Sequence, residues 1–172
     1  INMKFLIYLS LFVALAMNET KAQLIIATDE KTVNITESTL LQFEDNNSKG
    51  IILPANTTTS TEVTNGTFMF DQTDAKVKMY ENNSWIDLSD TGDKSSIITN
   101  SSTDNGEGVI VGSEKTDAKG ILVLESTDKA MVLPRVNDVI NDIISPYPGL
   151  MCYDITSKTI AFFDGKVWNF WK

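Results

Sequence analysis

The chain has 172 residues, with 14 Lys and Arg, 23 Asp and Glu, one cysteine and no histidine. Without histidine there is no Ser-His-Asp or Cys-His nucleophile system and no imidazole metal site, and one cysteine allows neither an intramolecular disulfide nor a thiolate zinc cluster. The formal charge of −9 argues against nucleic-acid binding, which depends on basic side chains that neutralise phosphates. These counts exclude histidine-based catalysis, disulfides and thiolate metal sites, and we predict no catalytic, metal or cofactor-binding residues. An enzyme with paired carboxylates, such as a glycosidase, is a distant alternative.

The first 22 residues are predicted to be a secretory signal peptide. Ile1-Asn2 precede the first methionine and are treated as extraneous. A positive charge at Lys4 is followed by an apolar run over residues 5–17, and Ala22 closes a small-residue cleavage pattern. A permanent membrane span needs about 20 apolar residues, so this run is too short for one. The sequence predicts a protein that is secreted or displayed on the cell surface.

The remaining chain is predicted to be an internal duplication. Three pairs of segments align in the same order: residues 49–54 with 129–134, residues 66–71 with 149–154, and Trp85 with Trp168. This collinear series predicts a degenerate β repeat at residues 23–88 and a second β repeat at 109–172. Residues 89–108 between them are rich in Ser, Thr, Asn, Asp and Gly, which predicts a polar linker that is flexible or loosely packed.

Each repeat is predicted to end in a three-stranded meander. The strands are residues 67–71, 76–80 and 85–88 in the first repeat, and residues 150–154, 159–163 and 167–171 in the second. Asn82-Asn83 and Asp164-Gly165 provide residues that tolerate positive φ, as a two-residue type I′ hairpin requires. The second meander has apolar residues on both faces, so both faces need a cover from the other repeat or from another copy of the chain.

One short helix is predicted, and only in the second repeat. Its helical apolar stripe consists of Val136, Val139, Ile140 and Ile143, and Pro146 and Pro148 end it. Residues 55–65 of the first repeat lack this stripe. The predicted fold class is therefore mainly β: two tandem small β-meander repeats with one short helix in the second, completed by self-association.

The candidate interface or ligand residues are aromatic side chains of the hairpins together with the only arginine: Tyr80, Trp85, Arg135, Phe163, Trp168 and Trp171. Tryptophans at strand ends are typical of core or interface positions. The alternative is a sugar-stacking platform, which would make the protein a carbohydrate-binding module. The fork of donors on Arg135 is expected to meet a carboxylate or the carbonyls of a turn, in the same chain or at a subunit contact.

Three further residues are considered as metal ligands or as a nucleophile. Asp71 and Asp154 end matching strands, where a carboxylate either caps the following turn or ligates Ca²⁺, and the turn is favoured because no EF-hand-like spacing is present. Cys152 lies inside an apolar strand and is expected to act as a small buried hydrophobe.

Residues 120–136, 148–154 and 162–168 (GILVLESTDKAMVLPRV, PGLMCYD and FFDGKVW) resemble a repeat found in secreted and surface proteins of Bacteroidetes-type bacteria and in phage tail-fibre-like proteins. The resemblance covers residues 109–172 well and residues 24–88 in degenerate form. It implies a homotrimeric, elongated protein with an adhesive or structural role. The predicted function is a secreted, non-enzymatic surface or fibre-type subunit that self-associates through its aromatic hairpins and contacts another surface protein or a glycan.

Overall fold

The computed structural model describes residues 23–29, 33, 36–58, 62–99, 102, 106 and 108–172, and the predicted signal peptide lies outside them. Strands dominate the described residues, with one helix, α1 (Val139–Asp142). The strands are β1 (Leu24–Ile26), β2 (Thr39–Phe43), β3 (Ile51–Ile52), β4 (Ala55–Asn56), β5 (Phe68–Asp71), β6 (Lys76–Glu81), β7 (Ser84–Asp87), β8 (Val109–Val111), β9 (Leu122–Leu124), β10 (Ala130–Met131), β11 (Arg135–Val136), β12 (Leu150–Asp154), β13 (Thr159–Phe163) and β14 (Trp168–Trp171). The prediction of a mainly β fold with one short helix is confirmed.

The predicted hairpin strands pair as antiparallel neighbours in both halves. Strands β5, β6 and β7 follow one another in one sheet, and β12, β13 and β14 do so in another. In each sheet a two-residue strand, β4 or β11, adds in parallel to the first strand of this set. Asn82 and Asn83 both have positive φ, at 48° and 61°, as the hairpin turn requires.

The type I′ turn predicted at Asp164-Gly165 is wrong. Gly165 has a φ of 95°, but Asp164 does not have positive φ. The Asp164 side chain instead accepts hydrogen bonds from the main-chain N–H groups of Lys166 and Val167, which holds a longer loop and delays the start of β14 to Trp168. A carboxylate that bonds to nearby backbone donors thus replaces the positive-φ pair.

Two tandem meanders describe only part of the architecture, and this prediction needs correction. The short strands outside the hairpins stack in a solenoid-like manner and join the two halves. Strand β10 of the second half adds in parallel to β2 of the first, and β3 of the first half pairs with β12 of the second. Strands β3 and β10 have two residues each, and they satisfy their backbone groups by pairing with strands of the other half.

The main core lies between the two hairpin sheets. Phe70 and Val77 of the first half and Met151 and Phe162 of the second are buried in one cluster. The Phe162 ring also stacks on Phe68, with ring centroids 6.4 Å apart. One apolar face of each hairpin sheet is therefore covered by the other repeat.

The opposite face of the second hairpin sheet is covered by α1. Val139 and Ile143 pack with Cys152 and Ala161 in a second buried cluster. Asp138 caps the helix by accepting hydrogen bonds from the N–H groups two and three residues later. The helix therefore covers an apolar sheet face that would otherwise meet water.

In the first repeat the equivalent sheet face carries charged side chains, which can face water without a covering helix. Lys78 occupies the position of Ala161, and its ammonium nitrogen lies 2.8 Å from Asp71 Oδ2 and 2.6 Å from Asp74 Oδ2. Lys76 similarly pairs with Asp87 at 2.6 Å. Half-buried ion pairs with hydrogen bonds satisfy this face without an apolar cover.

Asp71 is buried within this charged cluster. Burial alone would raise the pKa of Asp71, but hydrogen bonds from Lys78 and Thr73 outweigh it and hold the pKa below its ordinary value. A lowered folded-state pKa stabilises the fold above the unfolded value of about 3.9, and this contribution is lost as the pH falls through the folded value.

We therefore expect Asp71→Asn to lower the free energy of unfolding at neutral pH and to make little difference in strong acid. Urea unfolding of the parent and the variant between about pH 7 and pH 2 measures the difference, which should shrink only below about pH 4. A difference that stays constant over this whole range would contradict the stabilising role of the Asp71 carboxylate.

Residues 89–98 of the predicted linker are mostly exposed, but their backbone is hydrogen-bonded to both halves. The Gly92 N–H donates to the carbonyl of Ala75, and the Asp93 N–H donates to the carbonyl of Asp164, at 2.8 and 3.0 Å. Gly92 fits here because a Cβ would overlap the Asp164 carbonyl. This polar segment satisfies its backbone on both halves and so needs few apolar side chains of its own.

Candidate functional site

The aromatic candidates form two separate pairs, one in each hairpin. Tyr80 lies directly opposite Trp85 on neighbouring strands, with ring centroids 5.3 Å apart in an edge-to-face arrangement. Phe163 and Trp168 are also cross-strand neighbours, with centroids 5.4 Å apart and tilted rings. All four side chains are half-buried. Each pair stabilises its own hairpin through cross-strand contact, and the tilted rings do not form a flat stacking surface.

Trp171 occupies a different environment at the end of β14. This strand is the edge of its sheet, and Phe170 and Trp171 point to opposite faces of it with 43% of each side chain exposed. An edge strand with large apolar side chains is a site where another chain can pack. Of the aromatic candidates, Trp171 is the one that offers the most surface for a contact between copies.

Arg135 reaches a carboxylate of the first half. Its Nη1 atom lies 3.5 Å from Asp45 Oδ1, and both side chains remain partly accessible to water. An ion pair of this length at the surface adds little stability. Arg135 therefore keeps most of its hydrogen-bonding capacity toward solvent.

The two matching aspartates cap turns. Asp71 Oδ1 accepts a hydrogen bond from the N–H of Thr73, and Asp154 accepts from the N–H groups of Ser157 and Val139. Asp154 thereby also ties β12 to the start of α1. Within the described ranges, no group of three or more Cys, Asp and Glu side chains is arranged to hold a metal ion. The geometry at both positions is that of a turn cap.

Cys152 lies on the buried face of β12. Burial, with a smaller effect of the Asp154 charge, raises the pKa of the thiol to about 12. The thiol is therefore protonated at neutral pH and is a poor nucleophile.

Three groups of exposed apolar residues lie in the second half of the chain, and of their members only Trp171 is predicted from the sequence as a candidate for contact. One group is on β8 and β9 and just before β9, one on and after α1, and one around β14; the members are Val109, Ile110, Ile121 and Leu122, then Ile140 and Ile144, then Val167, Phe170 and Trp171. The only sequence feature that marks the first group is the pair of apolar runs VIV and LVL at β8 and β9. Such uninterrupted runs are typical of buried strands and therefore do not indicate exposure. Exposed apolar groups of this kind mark contact surfaces.

In the part of the chain that the structure describes, no helix is long and apolar enough to cross a membrane.

Comparison with known proteins places one family on this region of the chain. Residues 110–172 match the model of a family described as a phage tail like trimerisation region. Neither the curated proteins nor the solved structures contain a match to the chain. The tail-fibre-like part of the predicted resemblance is confirmed, and the likeness to Bacteroidetes-type surface proteins stays a prediction. The C-terminal 63 of the 172 residues are thus similar to a structural trimerisation region, which supports a β-rich, fibre-like subunit that self-associates as a homotrimer.

Proposed function

We propose that the protein is an exported structural subunit of an elongated homotrimeric fibre, and that its C-terminal region holds the three chains together. The observation that carries this proposal is that the family match and many of the exposed apolar side chains fall in the same part of the chain. The stretch that matches the trimerisation family contains eight of the exposed large apolar side chains, from Ile110 to Trp171. Such side chains favour burial against another protein surface at roughly 25 cal/mol per Å².

The distribution of charge also supports this division of roles. Residues 110–172 contain seven basic and eight acidic residues, a formal charge of −1, whereas residues 1–109 contain seven basic and fifteen acidic residues, a charge of −8. Three copies can bring the nearly neutral region together with little electrostatic repulsion. The acidic region would repel its copies and keep that part of the fibre soluble and apart.

The exposed aromatic end of β14 is proposed as one of the contacts between subunits, through Phe170 and Trp171. Tyr80, Trp85, Phe163 and Trp168 would act mainly by fixing the hairpins on which such contacts depend. Arg135, which remains accessible beside Asp45, is proposed to reach a carboxylate or carbonyl group of a neighbouring subunit. An adhesive role at a cell surface, after export by the predicted signal peptide, completes the proposal.

Shape measurements on the purified full chain test the proposed function. Small-angle scattering and negative-stain imaging are expected to give an elongated particle that contains three chains. A compact particle of one chain at micromolar concentration would contradict the proposal. The carbohydrate-binding alternative has its own readout, because polysaccharides that stack on exposed tryptophan would quench its fluorescence; quenching by a monomeric chain would favour that alternative.

A further inference from the structure

Strands β8 and β9 form a small parallel ribbon. Val109 pairs with Leu122, Ile110 with Val123 and Val111 with Leu124. We call Val109, Ile110, Ile121 and Leu122, at the start of the two strands and just before β9, the ribbon patch. Ile121 is 61% exposed and Leu122 45%. All four residues are aliphatic, so the patch carries no charge.

The ribbon is incomplete in a single chain. Among the described residues, no further strand pairs with either of its outer edges. Parallel strands are found almost entirely in sheets whose faces are both covered, and a sheet of two short strands is marginal in water. The opposite ends of the strands are better protected, since Gly112, directly after β8, approaches the Leu40 side chain of β2. The exposed apolar surface is therefore concentrated at the starts of the strands.

Two observations favour another copy of this chain as the occupant of the ribbon patch. The matched trimerisation region begins at Ile110, inside β8. The region from there to the C-terminus has a formal charge of −1, so copies can approach each other here with little repulsion.

We propose that the ribbon patches of three chains pack together around the trimer axis and exclude water there. This inference rests on the proposed function and adds the surface that makes the assembly. The patch is favoured over the exposed end of β14 as the centre of the interface. Its residues adjoin one another at one end of the ribbon, where Val109 pairs with Leu122 and the Val109 N–H donates to the Ile121 carbonyl, and the matched region begins at this end. Val109 and Leu122 share one face of the ribbon, and Ile110 lies on the other.

A charge placed in the ribbon patch tests this inference. In Ile121→Lys, three lysines would meet at the axis in a water-excluded site, which is strongly unfavourable. We expect dissociation of the trimer at protein concentrations at least about 100-fold higher than in the parent. The matched control is Ile98→Lys, which makes the same change at a side chain that is 86% exposed and lies outside the matched region. Circular dichroism confirms that both variants are folded.

The masses of the parent and both variants, measured by light scattering, separate the outcomes. A trimeric parent, a trimeric Ile98→Lys and a monomeric Ile121→Lys would support the inference. If the parent and Ile121→Lys are both trimers at all concentrations, the ribbon patch is not the interface, although the proposed function stands. A monomeric parent would overturn the proposed function and this inference together.

If Ile121→Lys does not fold, a cysteine variant tests whether the ribbon patches of different chains lie close together. Ile121→Cys keeps a small apolar side chain at the patch, and the native Cys152 is buried and unreactive. A bismaleimide is expected to join two Ile121→Cys chains, giving a dimer band on a denaturing gel, and to leave Ile98→Cys unjoined. Equal joining of both variants, or none in Ile121→Cys within a trimeric sample, would overturn the inference.

Discussion

Replacing Phe162 with alanine is expected to lower the free energy of unfolding by about 3–5 kcal/mol. Phe162 is fully buried on β13 and packs in the core between the two hairpin sheets, where its ring stacks on Phe68. Truncation removes the apolar surface of the ring and leaves a cavity that the two facing sheets cannot close. The effect is large because this core joins the repeats.

Denaturant unfolding at one fixed protein concentration measures this loss, since unfolding of an oligomer depends on concentration. The matched control is Ile144→Ala, because that side chain is 88% exposed after α1. Its expected change is about 0.5 kcal/mol or less. If Phe162→Ala cost no more than this control, the two repeats would not share a core.

Asp164→Ala is expected to cost about 2–4 kcal/mol, the largest effect of any polar substitution considered. The residue is fully buried, although it carries an acidic side chain. Its carboxylate accepts hydrogen bonds at 2.8 Å from the N–H groups of Lys166 and Val167 and from the side-chain amide of Asn169. Alanine would leave all three donors without this acceptor in the last hairpin loop.

Two further variants make the test of Asp164 specific. Asp164→Asn keeps an acceptor for the two main-chain N–H groups but sets an amide against the Asn169 amide, so an intermediate loss is expected. Asp128→Ala removes an exposed carboxylate with one side-chain hydrogen bond, from Ser126 at 3.2 Å, and should change stability by about 0.5 kcal/mol or less. Equal losses in Asp164→Ala and Asp128→Ala would contradict a structural role for the buried carboxylate.

The hairpins were predictable because their signals are local. Alternating apolar residues over five positions and the asparagine pair at 82–83 specify strands and a turn between neighbours in sequence. Strands such as β3 and β10 have two residues each, which is too short for a periodic pattern. Their partners lie in the other half of the chain, so only the folded structure reveals them.

Polar composition predicts a flexible or loosely packed linker at residues 89–98. The backbone of this segment forms hydrogen bonds with both halves, including the one from Asp93 to Asp164. Such bonds do not depend on side-chain type, so composition does not signal them. The pairing of Trp85 and Trp168 across their own hairpins is likewise visible only in the folded structure.

The ribbon patch shows that a single sequence does not distinguish burial within one chain from burial between chains. The runs VIV and LVL predict buried strands, but one chain leaves the first residues of both exposed. Burial would then depend on a second and a third copy, which a single sequence does not display.

The measurement that tests the central claim most directly is the mass of the unmodified full chain in solution, by sedimentation equilibrium over a range of concentrations. A homotrimer joined through residues 110–172 predicts a mass three times that of the chain, maintained on dilution through the micromolar range. A mass equal to that of one chain throughout that range would contradict it.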